Sequence, residues 1–133
     1  MLHFNPTHAD VMLCYISAPP TLTSYSPSLL IHKEGASAEM FCTATGIPTP
    51  GVTWLKDDKE LTNHGRLTVS DNKVHIKNLD KSDAGVYSCL FKNTVAQVSH
   101  TIRLVIESKL PDFILILKLL ILKMGSKDSV DNY

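Results

Sequence analysis

The amino-acid sequence predicts an all-β sandwich. Three observations carry that expectation. Apolar and polar residues alternate with a period of two in several short runs of the middle stretch. Clusters of turn-forming residues separate those runs at regular intervals. No apolar pattern of helical period in the same stretch is long enough to matter.

In chain order, Pro19-Pro20 opens the patterned stretch. Ala38, Met40, Cys42 and Ala44 then alternate with Ser37, Glu39, Phe41 and Thr43, giving one inward and one outward face. Val52 and Trp54 alternate with Thr53 and Leu55; Leu67 with Val69, and Val74 with Ile76, make two shorter runs. Tyr87, Cys89 and Phe91 share a face, as do Ile102, Leu104 and Ile106. The breakers between them are Gly46-Ile47-Pro48-Thr49-Pro50-Gly51, Asp57-Asp58, Asn63-His64-Gly65, Asp71-Asn72 and Asn93-Thr94. The prolines are expected in loops or at the Pro19-Pro20 start, where no central ladder loses a donor.

Composition sets the outer bounds. The 133 residues carry 13 basic and 13 acidic side chains, a formal charge of zero, which excludes the basic footprint of a non-specific nucleic-acid binder. At 44% hydrophobic and 20% charged the chain can bury a core, and its length suits one domain with tails. The expected organisation is an N-terminal tail at 1–18, a folded domain at 19–107 and a C-terminal tail at 108–133, the tails unstructured or poorly defined.

The informative constellation is Cys42, Trp54 and the run Asp83-Ala84-Gly85-Val86-Tyr87-Ser88-Cys89. It resembles the immunoglobulin superfamily, most closely its I-set branch, with Cys42 on strand B, Trp54 on strand C and Asp83-x-Gly85-x-Tyr87-x-Cys89 entering strand F. Gly46-x-Pro48-x-Pro50 and the Trp54 to Leu61 run look like the B–C loop and C strand of that branch. The resemblance covers the middle of the chain and neither tail.

What the resemblance implies is structural, beginning with an immunoglobulin-like Greek-key β-sandwich of two antiparallel sheets. Cys42 and Cys89 would bridge the two sheets, closing a loop of about 48 residues worth roughly 4 kcal/mol in the chain-entropy account. Trp54 would pack on that bridge, and Tyr87 matches the tyrosine corner, whose hydroxyl bonds back to the backbone near the preceding turn. Gly85 suits a backbone conformation that side chains resist. Asp83 either caps that turn or pairs with Arg66. Where the family often has Asn-x-x-Gly after strand F, Asn93-Thr94-Val95-Ala96 ends in alanine, so the F–G hairpin is expected to turn differently. Cys14 is then a leftover thiol on the N-terminal tail.

Chemistry of turnover finds no purchase in this sequence. Histidines 3, 8, 32, 64, 75 and 100 form no metal-ligand pair at helical or hairpin spacing. Asp57-Asp58 reads as a two-residue turn beside Lys56 and Lys59 rather than as a cation site. No glycine-rich loop opens a helix after a strand, no serine sits in a nucleophile elbow, and the proline of Asn5-Pro6-Thr7 spoils that glycosylation sequon. The expectation is a protein with no catalytic residue, no metal and no cofactor.

Face parity nominates a partner surface instead. With Trp54, Cys89 and Leu104 inward, Leu55, Leu90, Arg103 and Val105 point outward on one sheet. Leu55, Leu90 and Val105 are apolar without a core to serve, and contiguous exposed apolar groups mark contact sites.

The tails carry two apolar stretches. Val11 to Ala18 is weakly signal-like, but Met1 to Asp10 has no lysine or arginine to make a basic n-region. Phe113 to Leu122 holds Lys118 and is too short for a membrane core that needs about 20 apolar residues. It reads as an interfacial helix, as a cover for the exposed sheet, or as translated sequence that never belonged to a folded module. Membrane association would run only through this stretch or through a region missing from the sequence.

The I-set resemblance implies a non-enzymatic binding module. Similar domains serve in adhesion molecules, axon-guidance and growth-factor receptors and matrix proteins, recognising homophilic or heterophilic protein partners by a sheet face or end loops. A bridged cysteine pair places it outside the cell or on its surface. The alternatives are an intracellular structural module of a muscle-type, sarcomeric scaffold, and an accessory domain of a larger receptor enzyme.

Overall fold

Nine strands run through the described residues, which are 16–108 and 112–130 of the computed structural model. They are β1 (Ala18–Tyr25), β2 (Leu29–Lys33), β3 (Ala38–Ile47), β4 (Gly51–Lys56), β5 (Lys59–Glu60), β6 (Leu67–Val69), β7 (Lys73–Ile76), β8 (Gly85–Lys92) and β9 (Gln97–Glu107). A 3₁₀ turn at Lys81–Asp83 precedes β8, and a helix, α1 (Asp112–Val130), follows β9. The N-terminal stretch holding Cys14, and most of the signal-like run, lie outside the described residues.

The strands form a four-stranded sheet, β1-β3-β7-β6, and a five-stranded sheet, β2-β9-β8-β4-β5. Every pair is antiparallel except β2 with β9, which run parallel with Leu30 beside Leu104. The alternation in the sequence becomes burial directly. On β3, Ala38, Met40 and Cys42 are buried while Glu39 and Phe41 face out; on β8, Tyr87, Cys89 and Phe91 are buried. Between the sheets these residues meet Trp54, Val74, Ile76, Leu79, Ile102 and Leu104 in one core.

Cys42 and Cys89 are bonded across that core, S–S 2.04 Å, with Cα atoms 6.5 Å apart. Trp54 is the register partner of Cys89 on the neighbouring strand and is buried in the same cluster. Its indole N–H donates to the Asp71 carbonyl at 3.3 Å, so the buried ring leaves no donor unpaired. The adjoining Asn72 ties the same region down: its Nδ2 donates to the Cys42 carbonyl, and the Cys42 N–H donates to the carbonyl of Asn72.

The first two strands do not follow from alternation. Pro19 and Pro20 lie inside β1 rather than ahead of it, on a sheet edge, and the register slips between Ala18 and Thr21. A proline pair has no N–H to give the ladder, so the edge position and the slip are the form in which a strand tolerates it. The Ile47-Pro48 peptide is cis.

Candidate partner-binding face

Three local devices hold the five-stranded sheet in shape. The first is the turn between β4 and β5, where Asp57 and Asp58 both have positive φ (49° and 68°), the pattern of a two-residue hairpin loop. The Asp57 carboxylate is also occupied: its Oδ1 accepts the Val86 N–H at 3.1 Å, while the Asp57 N–H donates to the Val86 carbonyl. This pins the turn to the start of β8.

The second device surrounds Asp83. Both roles expected of this residue occur together. Its Oδ2 accepts the Asp80 N–H at 2.8 Å, and Asp80 in turn accepts the Ser82 N–H, a reciprocal capping box. Arg66 also donates to both Asp83 oxygens, at 2.7 and 3.2 Å. Burial pushes the Asp83 carboxyl up, but the hydrogen bonds from Arg66 and Asp80 and the guanidinium charge outweigh it, holding the group below its ordinary range. Asp80 is likewise held low, by the Ser82 hydroxyl and N–H. The Tyr87 hydroxyl donates to the Asp83 carbonyl at 2.6 Å. Burial, with the Asp83 and Asp57 charges, pushes that phenol well up.

The third device closes the β8–β9 hairpin. Asn93 Oδ1 accepts the N–H groups of Val95 and Ala96, and its Nδ2 donates to the carbonyls of Ala18 and Pro48. Residues 93–96 contain no positive φ, so alanine at 96 costs nothing. One side chain thus joins the F–G turn, the B–C loop and the start of β1.

On this frame the register sets out the outward face in rows. Leu55 pairs with Ser88 and Glu60, and Ser88 with Thr101; Thr53 pairs with Leu90, and Leu90 with Ser99. Val86 pairs with Arg103, which pairs on its other side with Leu29, and Val105 pairs with Ile31. Leu55, Leu90 and Val105 are partly buried and Arg103 is exposed. Leu29 and Ile31 are missing from the sequence-derived face, yet they are its most exposed apolar members, at 51% and 53%. In Leu29-Leu30-Ile31 three apolar residues are consecutive, so the run itself gives no parity; the pairing of Leu30 with buried Leu104 does.

The other sheet presents a different surface. Thr23 and Thr43 are joined by their hydroxyls, Glu39 lies 3.4 Å from Lys73, and Thr68 and His75 are paired in register. Phe41, 37% exposed, and Ile47, 46% exposed, are the large apolar side chains on the outward positions of β3. The two sheets differ in the share of apolar side chains they turn outward: Leu29, Ile31, Leu55, Leu90 and Val105 stand among Thr53, Ser88, Ser99, Thr101 and Arg103 on the five-stranded face, against Phe41 and Ile47 among polar residues on the other.

Among the described residues no three His, Cys, Asp or Glu side chains converge as a metal site, and no helix is long and apolar enough to cross a membrane. Ile114 of α1 is partly buried, while Phe113, Leu115, Ile116, Leu117, Leu119, Leu120, Ile121, Leu122 and Met124 are exposed, from 49% at Leu120 to 72% at Leu122.

Comparison with known proteins bears on this geometry. Residues 21–106 match the family model of the immunoglobulin I-set domain. The chain is 38% identical over 99 residues to protein turtle homolog B of Rattus norvegicus, covering 74% of this chain and 7% of that protein. It thus spans a small part of the relative's length. Among solved structures, titin domain M7 superposes with a TM-score of 0.64 at 30% identity, covering 70% of this chain and 98% of that one. The insect immune protein hemolin superposes with a TM-score of 0.63 at 26% identity, covering 68% of this chain and 23% of that one.

Proposed function

The chain belongs to the immunoglobulin I-set family, and from that premise we propose that it is a non-enzymatic protein-binding module of the adhesion type. Its recognition surface is the outer face of the five-stranded sheet, centred on Leu55, Leu90, Arg103 and Val105 and extended by Leu29 and Ile31. The observation that carries the reading is the asymmetry between the two outward faces. A soluble sandwich needs polar residues on both, and the five apolar side chains Leu29, Ile31, Leu55, Leu90 and Val105 gathered on one are the composition of a contact surface. Arg103 within that apolar field matches the kind of residue that anchors interfaces.

The hemolin structure is described with implications for homophilic adhesion, which supports a partner that is itself a protein. The Cys42–Cys89 bridge supports an extracellular or cell-surface setting, where such bonds persist. Leu90→Asp is the direct test: it is expected to leave the sandwich folded and to weaken self-association or ligand binding. Unchanged association in a sedimentation or pull-down comparison would remove the face from consideration.

The likeness to titin domain M7 favours a second reading, an intracellular structural module with reduced cysteines. Thiol titration of the native protein separates the two. One free thiol supports the extracellular reading, and three support the intracellular one.

A further inference from the structure

We propose that β2 is a pairing edge for a second copy of this chain, the two β2 strands running antiparallel about Ile31. Hydrogen-bond parity decides which residues are available. The Ser28 carbonyl accepts the Arg103 N–H at 2.8 Å, and the Glu34 N–H donates to the Glu107 carbonyl at 2.8 Å. With Leu30 in register with Leu104, residues 28, 30, 32 and 34 turn their backbone groups toward β9. Leu29, Ile31 and Lys33 turn theirs the other way, where no strand lies among the described residues. The Lys33 carbonyl is occupied by the Ala36 N–H at 3.0 Å. The open edge therefore presents the N–H and C=O of Leu29 and Ile31, and the Lys33 N–H.

The other three sheet edges are blunted, and this one is not. β5 is the two charged residues Lys59–Glu60, β6 is three residues long, and β1 carries Pro19-Pro20 with a register slip. β2 offers five residues without proline or slip, and Leu29 and Ile31 are exposed on it. Its residues are also complementary to themselves. With the two strands antiparallel, each Ile31 exchanges both N–H···O bonds with the other, and each Lys33 N–H donates to the Leu29 carbonyl across from it. Lys33 then stands opposite Leu29, so no like charges meet. Residues opposite each other share a face, so the two five-stranded sheets continue as one, joined on the outside by Leu29 and Ile31. This pairing does not rest on the proposed recognition face, since Leu90 lies on β8, two strands in from the edge.

The experiment is amide exchange of the full chain over a dilution series whose association is followed by sedimentation. The expected result is a monomer–dimer equilibrium in which the Ile31 and Lys33 amides exchange about tenfold more slowly in the dimer, while Leu30 and His32 stay equally protected in both. Ile31→Pro removes an outward donor and no bond to β9, so it should keep the fold and raise the dimer Kd about tenfold or more. Ile31→Thr, which keeps the donor, should change it far less, and equal losses in the two variants would overturn the backbone pairing. A monomer at every concentration up to about 1 mM would overturn the proposal. So would a dimer whose Ile31 and Lys33 amides stay fast, or one abolished by Leu90→Asp and untouched by Ile31→Pro, which puts the contact on the sheet face. A dimer paired through β2, with partner capture unchanged in Leu90→Asp, strikes the face reading and leaves the edge pairing standing.

Discussion

Asp57 Oδ2 lies 2.9 Å from the point that a Cβ on Gly85 would occupy, and Gly85 has a φ of +154°. Two separate constraints therefore exclude a side chain at this position. The carboxylate cannot withdraw freely, because its other oxygen holds the Val86 N–H and its own residue is fixed in the positive-φ turn. Gly85 is thus the point where the β4–β5 turn closes onto the start of β8.

Gly85→Ala is expected to cost about 2–3 kcal/mol, combining a disfavoured φ with a contact that must give. Gly65→Ala is the control, because Gly65 has a positive φ of +52° but open space around it. Its expected cost is about 1 kcal/mol. Denaturant midpoints of the two variants check the difference, and equal shifts would show that the Asp57 contact contributes nothing.

The Arg66–Asp83 pair makes stability depend on acid in a definite direction. A carboxyl held low in the folded state stabilises it fully above the unfolded value, about pH 3.9, and the contribution is lost as pH falls through the lower folded value. Asp83→Asn should cost about 2 kcal/mol at pH 7, with charge-assisted bonds removed. The gap between wild type and variant should narrow below about pH 4, as measured by urea unfolding at pH 7 and pH 3.

Asn93→Ala removes four hydrogen bonds at once, two accepted and two donated. The expected outcome is faster amide exchange at Val95 and Ala96 and a loss of about 2 kcal/mol, since the Ala18 and Pro48 carbonyls lose their partner. Exchange unchanged at these two amides would show that the hairpin holds its shape without the side chain.

What the sequence made legible follows a physical line. β3, β4, β8 and β9 were readable because each has one buried and one outward face, and burial of one face writes a period of two into the residues. Cys42, Trp54 and Tyr87 were readable because large or bonded inward groups recur at fixed places in such sandwiches. β1 and β2 were not. Pro19-Pro20 hides the first behind a register slip, and the second is defined by parallel pairing with β9, far along the chain. Leu29 and Ile31 were lost from the face with it. Asn93 was visible as a turn residue, but its ties to Ala18 and Pro48 depend on loops that meet only in three dimensions.

The central claim is that the apolar outer face of the five-stranded sheet, and not the polar face opposite, engages a protein partner. The most direct measurement is association of the wild type, Leu90→Asp and Thr68→Asp side by side, each first shown to be folded by its unfolding midpoint. Leu90 and Thr68 point outward from opposite sheets, so one added carboxylate probes each surface. The account predicts that Leu90→Asp lowers affinity at least tenfold, about 1.4 kcal/mol, while Thr68→Asp leaves it unchanged. Equal affinity for the wild type and Leu90→Asp, or a loss confined to Thr68→Asp, would contradict it.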